Sequence, residues 1–274
     1  MIGKLKNIIK KIIVKKEVYY ETVPTNIGEI LNGKVALITG GGSGIGLGIA
    51  QQFVNQNAKV VLVGRNEKKL IDAVNRIGVS NAAYVCWDAN SVDDMDDKFT
   101  ECVNKFGAID ILVNNAGYHG NHNFFTVTEE DFDDTFNVNV KFLFFISQKV
   151  SKYFIDNKIK GHILNISSAS SMKPAWSPYE ISKWSVRGFT RGLAREVAKY
   201  GIVVNGIAPG PTATSMSNWS EGDSISWSSI PLQRMVTAEE IGNMAVYLCS
   251  DYGKALIGET VFVDGGSGIL TTNK

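Results

Sequence analysis

Seven short apolar segments, rich in β-branched residues, alternate with helical patterns along most of the chain. The predicted strands are residues 34–39, 58–64, 82–88, 109–117, 162–167, 202–210 and 259–266. The predicted helices end near Gln56 or span residues 67–77, 91–106, 128–157, 178–199 and 237–250. Uninterrupted apolar runs are typical of strands buried on both faces. We therefore predict one α/β domain, with a parallel sheet of about seven strands between two layers of helices.

The charge distribution separates residues 1–33 from the rest of the chain. This N-terminal extension carries six lysines and three glutamates, so the remaining residues 34–274 have a net charge of −2 within a total of +1. A nearly neutral body does not favour a nucleic-acid partner. Within residues 1–16, isoleucines and lysines alternate at helical spacing, which predicts an amphipathic helix. That helix could pack on the protein itself or a second subunit, or lie on an anionic membrane surface.

The cysteines and histidines form no metal-binding pattern. Cys86, Cys102 and Cys249 are far apart in sequence, and the chain has only three histidines. We expect reduced thiols in a cytoplasmic protein and no metal site. Since no apolar run reaches the length of a membrane span, we expect none.

A glycine-rich loop follows the first predicted strand and precedes a helix. Its spacing is Gly40-x-x-x-Gly44-x-Gly46. Glycines allow a sharp turn and close approach to a pyrophosphate, and the helix N-terminus offers free N–H groups and a positive dipole end. This arrangement predicts a dinucleotide site.

The second strand ends in Gly64-Arg65 instead of the acidic residue that usually binds the ribose hydroxyls of NAD. Gly64 offers no carboxylate to repel a 2′-phosphate, and the Arg65 guanidinium can bind one. We therefore expect NADP(H) to be favoured over NAD(H). In the other interpretation Arg65 points to solvent and selectivity is weak.

Tyr179 and Lys183 lie one helical turn apart in the segment YEISK. At about 4 Å and an effective dielectric of about 20, an ammonium stabilises a phenolate by about 4 kcal/mol, or about three pKa units. A shift of that size would make a tyrosine useful in proton transfer near neutral pH.

The motifs of residues 33–270, in order, resemble the classical short-chain dehydrogenase/reductases, including members similar to 3-oxoacyl-carrier-protein reductases. They are TGGGSGIG (39–46), Asp88 after the third strand, NNAG (114–117), NVN (137–139), NISS (165–168), YEISK (179–183), VNGIAPGPTAT (204–214) and VDGG (263–266). The resemblance implies a Rossmann-type doubly wound sheet in a single catalytic domain, residues 34–274, and a homodimer or homotetramer.

The resemblance also implies roles for individual residues. Tyr179 would be the general acid or base, and Lys183 would lower its pKa and bind the nicotinamide ribose. Ser168 would orient the substrate oxygen, and Asn139 would hold a water that links Lys183 to solvent. The remaining expected cofactor contacts are Gly40, Ser43, Gly44, Ile45, Gly46, Arg65, Asp88, Ala89, Asn115 and Thr212.

The loop between the serine and the tyrosine is shorter by two residues than is usual in that family. Ser168 and Tyr179 are eleven residues apart. Either Ser168 keeps its place in a shorter loop, which we favour, or Ser167 or Ser170 takes its role.

The substrate pocket is expected to have aromatic walls that suit a ring, although the same side chains could instead pack a lid formed by residues 212–231. The candidates are Met172, Trp176, Tyr118, His119, His122, Trp219 and Trp227. Arg187, Arg191 and Arg195 recur every four residues and predict either a subunit interface, with Glu196, Glu180 and Asp156 as partners, or a surface for an acidic carrier protein.

The leading interpretation is an NADPH-dependent oxidoreductase that interconverts a carbonyl and a secondary alcohol. The alternatives are a 3-oxoacyl-[acyl-carrier-protein] reductase and a cofactor-binding scaffold or sensor without turnover. The presence of Ser168, Tyr179, Lys183 and Asn139 together disfavours the scaffold, because a scaffold needs only the cofactor-binding residues.

Overall fold

The computed structural model describes residues 29–120 and 123–268. Its strands are β1 (Val35–Thr39), β2 (Lys59–Gly64), β3 (Ala82–Cys86), β4 (Ile111–Asn114), β5 (His162–Ile166), β6 (Val203–Pro209) and β7 (Thr260–Val263). Its α-helices are α1 (Gly44–Asn55), α2 (Glu67–Ile77), α3 (Met95–Phe106), α4 (Glu129–Phe136), α5 (Leu143–Asp156), α6 (Pro178–Val197) and α7 (Ala238–Leu248).

All seven strands form one parallel sheet in the order β3-β2-β1-β4-β5-β6-β7. The chain builds outward from β1 to β3, and then returns to β4 on the other side of β1. At such a reversal the loops after the two central strands part and leave a crevice at the carboxyl ends of the strands. The predicted doubly wound α/β fold is confirmed.

Alternate side chains of each strand enter two separate hydrophobic cores, one on each face of the sheet. On one face Ile38 and Leu62 pack with Ile49, Phe53 and residues of α2 and α7. On the other face Leu37 and Val63 pack with side chains of α3, α5 and α6, which include Phe99, Ile146, Phe154 and Ala194. The uninterrupted apolar strands are thus explained by burial on both sides.

A π-helical segment, Asn137–Phe142, interrupts the helix predicted over residues 128–157. π-Helical turns inside α-helices occur often at functional sites. Here the segment contains Asn139, whose side chain is almost fully buried. Hydrophobic periodicity did not indicate the interruption.

Segment 212–236 joins β6 to α7 with little regular structure. Thr212 forms a parallel bridge with Val236, and Ser226 forms an antiparallel one with Arg234. Inside this segment Ala213, Ile225 and Met235 form a small core of their own, against which Trp219 packs. The segment covers the crevice from the β6 side.

The extension predicted over residues 1–33 lies mostly outside the described residues, as does its segment 1–16. Leu31 is fully buried in the core, and its N–H donates to the Gln56 carbonyl at 3.1 Å. The boundary at residue 34 stays a prediction. No helix in the described ranges is long and apolar enough to cross a bilayer.

Candidate active site

A cavity of about 580 Å³ opens at the carboxyl ends of β1, β4, β5 and β6. The glycine-rich loop, the start of α6 and the turn after β6 line it together. Nine of the predicted cofactor-binding residues contribute to its wall: Gly40, Ser43, Gly44, Ile45, Arg65, Asn115, Thr212, Tyr179 and Lys183. Ser168, the favoured catalytic serine, lines the same cavity.

The glycine-rich loop is held in shape by β4. Gly40 has a left-handed φ of +65°, and its carbonyl and that of Thr39 accept from the side-chain amide of Asn115 at 3.1 and 2.9 Å. A Cβ at Gly46 would collide with the Gly40 carbonyl and lie 2.5 Å from that same amide. Gly46 is therefore needed for close packing beneath the loop and does not line the cavity. The loop ends at the N-terminus of α1, whose dipole favours an anion there.

A second cavity of about 310 Å³ adjoins the first on the β2–β3 side. Its wall contains Asp88 and Ala89, as expected for an adenine site, together with Arg65, which lines both cavities. Lys69, on the first turn of α2, lines the larger cavity as well. Lys69 was not among the site residues predicted from the sequence, although its place in the first helical turn after Arg65 could have indicated it.

Tyr179 and Lys183 occupy the first two turns of α6, which begins with a capping box between Ser177 and Glu180. The Lys183 Nζ lies 5.6 Å from the centroid of the Tyr179 ring and donates to the Ile166 carbonyl at 3.1 Å. Ser168 forms a hydrogen bond with the Tyr179 hydroxyl. The three side chains thus meet at one end of the cavity.

Burial dominates the ionisation of this cluster. It raises the pKa of Tyr179, and the hydrogen bond with Ser168 opposes that rise. Burial also lowers the pKa of Lys183 to about 8. The expected lowering of the tyrosine pKa by the lysine is therefore not what the structure gives, because desolvation disfavours both charged forms.

The neighbouring serines have other partners. The Ser167 hydroxyl donates to the Lys183 carbonyl at 2.9 Å, which directs it to the helix. The Ser170 N–H donates to the Ser168 Oγ at 3.1 Å, and the Ser171 hydroxyl donates to the Ser168 carbonyl at 2.7 Å. This local geometry favours Ser168 over Ser167 as the serine that faces Tyr179, while Ser170 also lines the cavity.

The Asn139 side chain holds the turn after β4 in place. Its Oδ1 accepts from the Tyr118 N–H at 2.7 Å, and its Nδ2 donates to the Tyr118 carbonyl and the Ser182 Oγ, both at 2.9 Å. Ser182 in turn donates to the Tyr179 carbonyl at 2.7 Å. Asn139 does not line the cavity; it connects the turn to the backbone of α6.

The expected aromatic walls are wrong for most of the candidate side chains. The His119 ring packs edge-on against Tyr179, with centroids 4.3 Å apart, and lines the cavity. Tyr118 lines the second cavity, Met172 and Trp176 are exposed outside both, and Trp219 packs within segment 212–236. Trp227 is also partly exposed outside both cavities. His122 lies outside the described residues.

The three arginines of α6 do not form one stripe with the expected partners. The Arg187 guanidinium donates to the Ser171 carbonyl at 3.1 Å and lies over the rings of Trp184 and Phe262. Arg191 approaches Glu259 at 3.9 Å. Arg187 therefore binds the loop that carries Ser168, and Glu180 forms part of the capping box of α6.

The described ranges contain no group of three side chains that could hold a metal ion. Cys86 is exposed, whereas Cys102 and Cys249 are buried, and burial raises the pKa of Cys102 to about 12.

Comparison with known proteins places this site in a large group of enzymes. A profile of the family described as Enoyl-(Acyl carrier protein) reductase matches residues 40–268. Acetoacetyl-CoA reductase of an Acinetobacter species is 35% identical over 241 residues, which are 85% of this chain and 97% of that protein.

Two solved structures show the same architecture. 3-Ketoacyl-(acyl-carrier-protein) reductase from Brucella melitensis, complexed with NADH, matches with a TM-score of 0.80 at 32% identity and covers 87% of this chain and 100% of its own. A protein described as a short chain dehydrogenase/reductase family protein matches with a TM-score of 0.78 at 32% identity, over 88% of this chain and 100% of its own.

Proposed function

Because the chain belongs to the short-chain dehydrogenase/reductase family, we propose that it is an NADPH-dependent oxidoreductase that reduces a carbonyl to a secondary alcohol or catalyses the reverse reaction. The observation that carries this proposal is the meeting of Ser168, Tyr179 and Lys183 at one end of a cavity whose other walls fit a dinucleotide. The bound dinucleotide would supply or accept the hydride.

In the proposed reduction Tyr179 donates the proton. Its raised pKa keeps the phenol protonated near neutral pH, so it is ready to act as an acid when negative charge develops on the substrate oxygen. Ser168 hydrogen-bonds the same oxygen. Donors aimed at a developing oxyanion stabilise the transition state more than the ground state. Lys183 then stabilises the phenolate that remains, because its ammonium lies close to the ring.

Asn139 is proposed to keep the site aligned. Its amide joins the turn at Tyr118 to Ser182, and therefore to the backbone that carries Tyr179. The π-helical geometry around Asn139 is where we place the water that would link Lys183 to solvent.

The preference for NADPH rests on charge at the β2 end of the cavity. Gly64 lacks a side chain there, and both Arg65 and Lys69 contribute cationic side chains to the wall. A guanidinium binds a phosphate through paired, charge-assisted hydrogen bonds. Asp88 and Asp134 line the second cavity and fit the adenine side rather than a phosphate.

Two substitutions test the assignment of the chemistry. We expect Tyr179→Phe and Ser168→Ala to reduce kcat on a panel of ketones and β-ketoesters by about 10²-fold or more, since each removes a group from the reacting end. NADPH binding, followed by fluorescence, should remain. Ser170→Ala is the matched control and should retain most activity. A mild effect at Ser168 with a severe one at Ser170 would mean that the serine was misassigned.

The alternative function is reduction of a 3-oxoacyl group on an acyl carrier protein. It is supported by the similarity to the Brucella protein and by the exposed Arg191 and Arg195 on α6. Turnover of a carrier-bound substrate that falls in an Arg191→Glu/Arg195→Glu double variant, with small ketones untouched, would favour it. Unchanged behaviour of Tyr179→Phe in every assay would favour a scaffold without turnover.

Two further features remain proposals. We expect a homodimer or homotetramer, which sedimentation or light scattering would measure. Contact of residues 1–16 with an anionic membrane is tested by liposome co-sedimentation of the full chain against a chain that starts at Asn32; equal sedimentation of both would remove it.

A further inference from the structure

All charged side chains in the described wall of the larger cavity are cationic. None of its described lining residues is an aspartate or a glutamate, whereas Arg65, Lys69, Lys173 and Lys183 all contribute to it. Arg65 and Lys69 are accounted for by the cofactor phosphate, and Lys183 by Tyr179. Lys173 is the cation that the proposed reaction does not use.

The sheet order places Lys173 far from the cofactor phosphate. Arg65 follows β2, while Lys173 follows β5, and the order β2-β1-β4-β5 separates these two strands by three spacings. At 4.7–4.9 Å a spacing this is about 14 Å. Lys173 therefore lies on the side of Ser168, on the same loop, and not beside the 2′-phosphate subsite.

The loop that carries Lys173 is fixed at three points. The Lys173 N–H donates to the Ser170 carbonyl at 3.1 Å, and its carbonyl accepts from the Trp184 indole at 2.9 Å. Arg187 holds the Ser171 carbonyl two residues earlier. Lys173 is exposed and lines the cavity, and no ion pair with another described residue is found for it. An anchored backbone with an unused ammonium is suited to binding an anion.

The wall of this cavity contains more hydroxyl groups than aromatic rings, which are those of Tyr179 and His119. Ser168, Ser170, Ser217 and Ser267 all line it. The Ser267 hydroxyl is buried and has no hydrogen-bond partner among the described residues. Since a buried polar group normally has a partner, this hydroxyl is expected to find one in a ligand.

From these observations we propose that the substrate is a carbonyl compound with an oxyanion, a carboxylate or a phosphate, which Lys173 binds, and with a polar group that the Ser267 hydroxyl contacts. This inference rests on the proposed function and specifies its substrate class. The sequence suggested only a ring-shaped substrate, either a sugar derivative or a polycycle, whereas this proposal specifies an anionic one.

Matched substrate pairs test the proposal. The pairs are 5-keto-D-gluconate with L-sorbose, acetoacetate with methyl acetoacetate, and acetoacetyl-CoA with acetoacetyl-N-acetylcysteamine. Within each pair only one member carries the carboxylate or phosphate. We expect the ratio of kcat/KM for the anionic over the neutral member to fall about tenfold in Lys173→Met, the loss of one charge-assisted contact. The fall should be larger in Lys173→Glu. Lys152→Met, an exposed lysine outside the cavity, is the control.

The three substrate pairs distinguish a carboxylate from a phosphate as the oxyanion. A fall confined to the first two pairs assigns a carboxylate, and one confined to the third assigns a phosphate. An unchanged ratio in both Lys173 variants, while Tyr179→Phe still abolishes turnover, would overturn the proposal and leave the oxidoreductase intact. NADPH binding weakened as much by Lys173→Met as by Arg65→Ser would assign Lys173 to the cofactor, and also overturn it.

A second measurement is independent of turnover. Gluconate, sorbitol 6-phosphate and sorbitol are titrated by calorimetry into the inactive Tyr179→Phe variant saturated with NADP⁺, so that no alcohol is oxidised during the titration. At least one of the two anions should bind about tenfold tighter than sorbitol, and Lys173→Met should remove the difference. Equal binding of all three would overturn the proposal. Loss of catalysis in every assay, with Tyr179→Phe identical to the wild type, would instead refute the proposed function.

Discussion

Replacing Arg187 by methionine should disorder the loop after β5 that carries Ser168, and it should leave the cofactor site unchanged. The guanidinium donates to the Ser171 carbonyl, and the Ser171 hydroxyl donates to the Ser168 carbonyl. A side chain on α6 thus fixes the backbone of the residue that hydrogen-bonds Tyr179. Methionine keeps much of the apolar bulk and removes the donors and the charge.

The size of the effect follows from burial. Ser171 is fully buried, so its carbonyl would lose its partner away from water, which costs about 1–3 kcal/mol. The contacts of the guanidinium with the Trp184 and Phe262 rings add about 0.5–1 kcal/mol each. We therefore expect a loss of about 2–5 kcal/mol in the free energy of unfolding, and a fall in Tm of roughly 4–20 °C.

The activity should fall more than the stability alone suggests. A displacement of the order of 1 Å in a positioned group can lower the rate by about 10²-fold. We expect kcat to fall about ten- to a hundredfold with the dissociation constant of NADPH unchanged. Arg187→Lys, which keeps the charge but not the planar donors, should restore part of kcat. Arg195→Met, an exposed arginine two turns further along α6, is the control.

A kcat within about twofold of the wild type in Arg187→Met, with a Tm shift no larger than that of Arg195→Met, would refute this reasoning. In that case the hydrogen bond to the Ser171 carbonyl would be dispensable, and the loop would be positioned by Trp184 alone.

Three further predictions concern the fold and the cofactor loop. Burial lowers the pKa of His162 to about 4, so between pH 6.5 and 4 the unfolded chain binds a proton that the native chain does not. The free energy of unfolding should therefore fall by up to about 1.4 kcal/mol per pH unit as the pH drops. Urea unfolding of His162→Gln should show a shallower fall. Lys183 behaves in the same way at higher pH: burial lowers its pKa to about 8, so stability should rise from pH 8 to 10, and an equal rise in Lys183→Met would contradict its burial. Gly46→Ala should raise the NADPH dissociation constant about tenfold or more, since its methyl group meets the Gly40 carbonyl and the Asn115 amide; unaltered binding by fluorescence would mean that the loop can yield.

The sequence predicted the sheet and most element positions because strands buried on both faces produce apolar runs that helices must separate. The helix predicted at 67–77 coincides with α2, and that at 178–199 differs from α6 by two residues at its end. The spacing of Tyr179 and Lys183 depends only on helical geometry, and the glycine loop is recognised from the spacing of its glycines between a strand and a helix. Such features are local, and a single sequence contains them.

What the sequence could not predict depends on the direction in which side chains point. The equal spacing of Arg187, Arg191 and Arg195 predicted that they share one face of α6. In the structure Arg187 binds the loop after β5, whereas Arg191 approaches Glu259. Trp219 is a large aromatic residue of the kind that often lines a substrate pocket, but it packs within its own segment. The π-helical turn at Asn139 leaves the apolar pattern almost unchanged. The ionisation of Tyr179 depends on burial, which helix spacing does not reveal.

The transfer of a labelled hydride tests the central claim most directly. The enzyme is supplied with a reducible ketone and NADPH deuterated at the nicotinamide C4, with each face labelled in a separate reaction, and the alcohol is analysed by mass spectrometry. We predict deuterium on the carbinol carbon from one of the two labelled cofactors, and no product above background with Tyr179→Phe. Alcohol formed without deuterium from either cofactor, or formed equally well by Tyr179→Phe, would contradict the proposed mechanism.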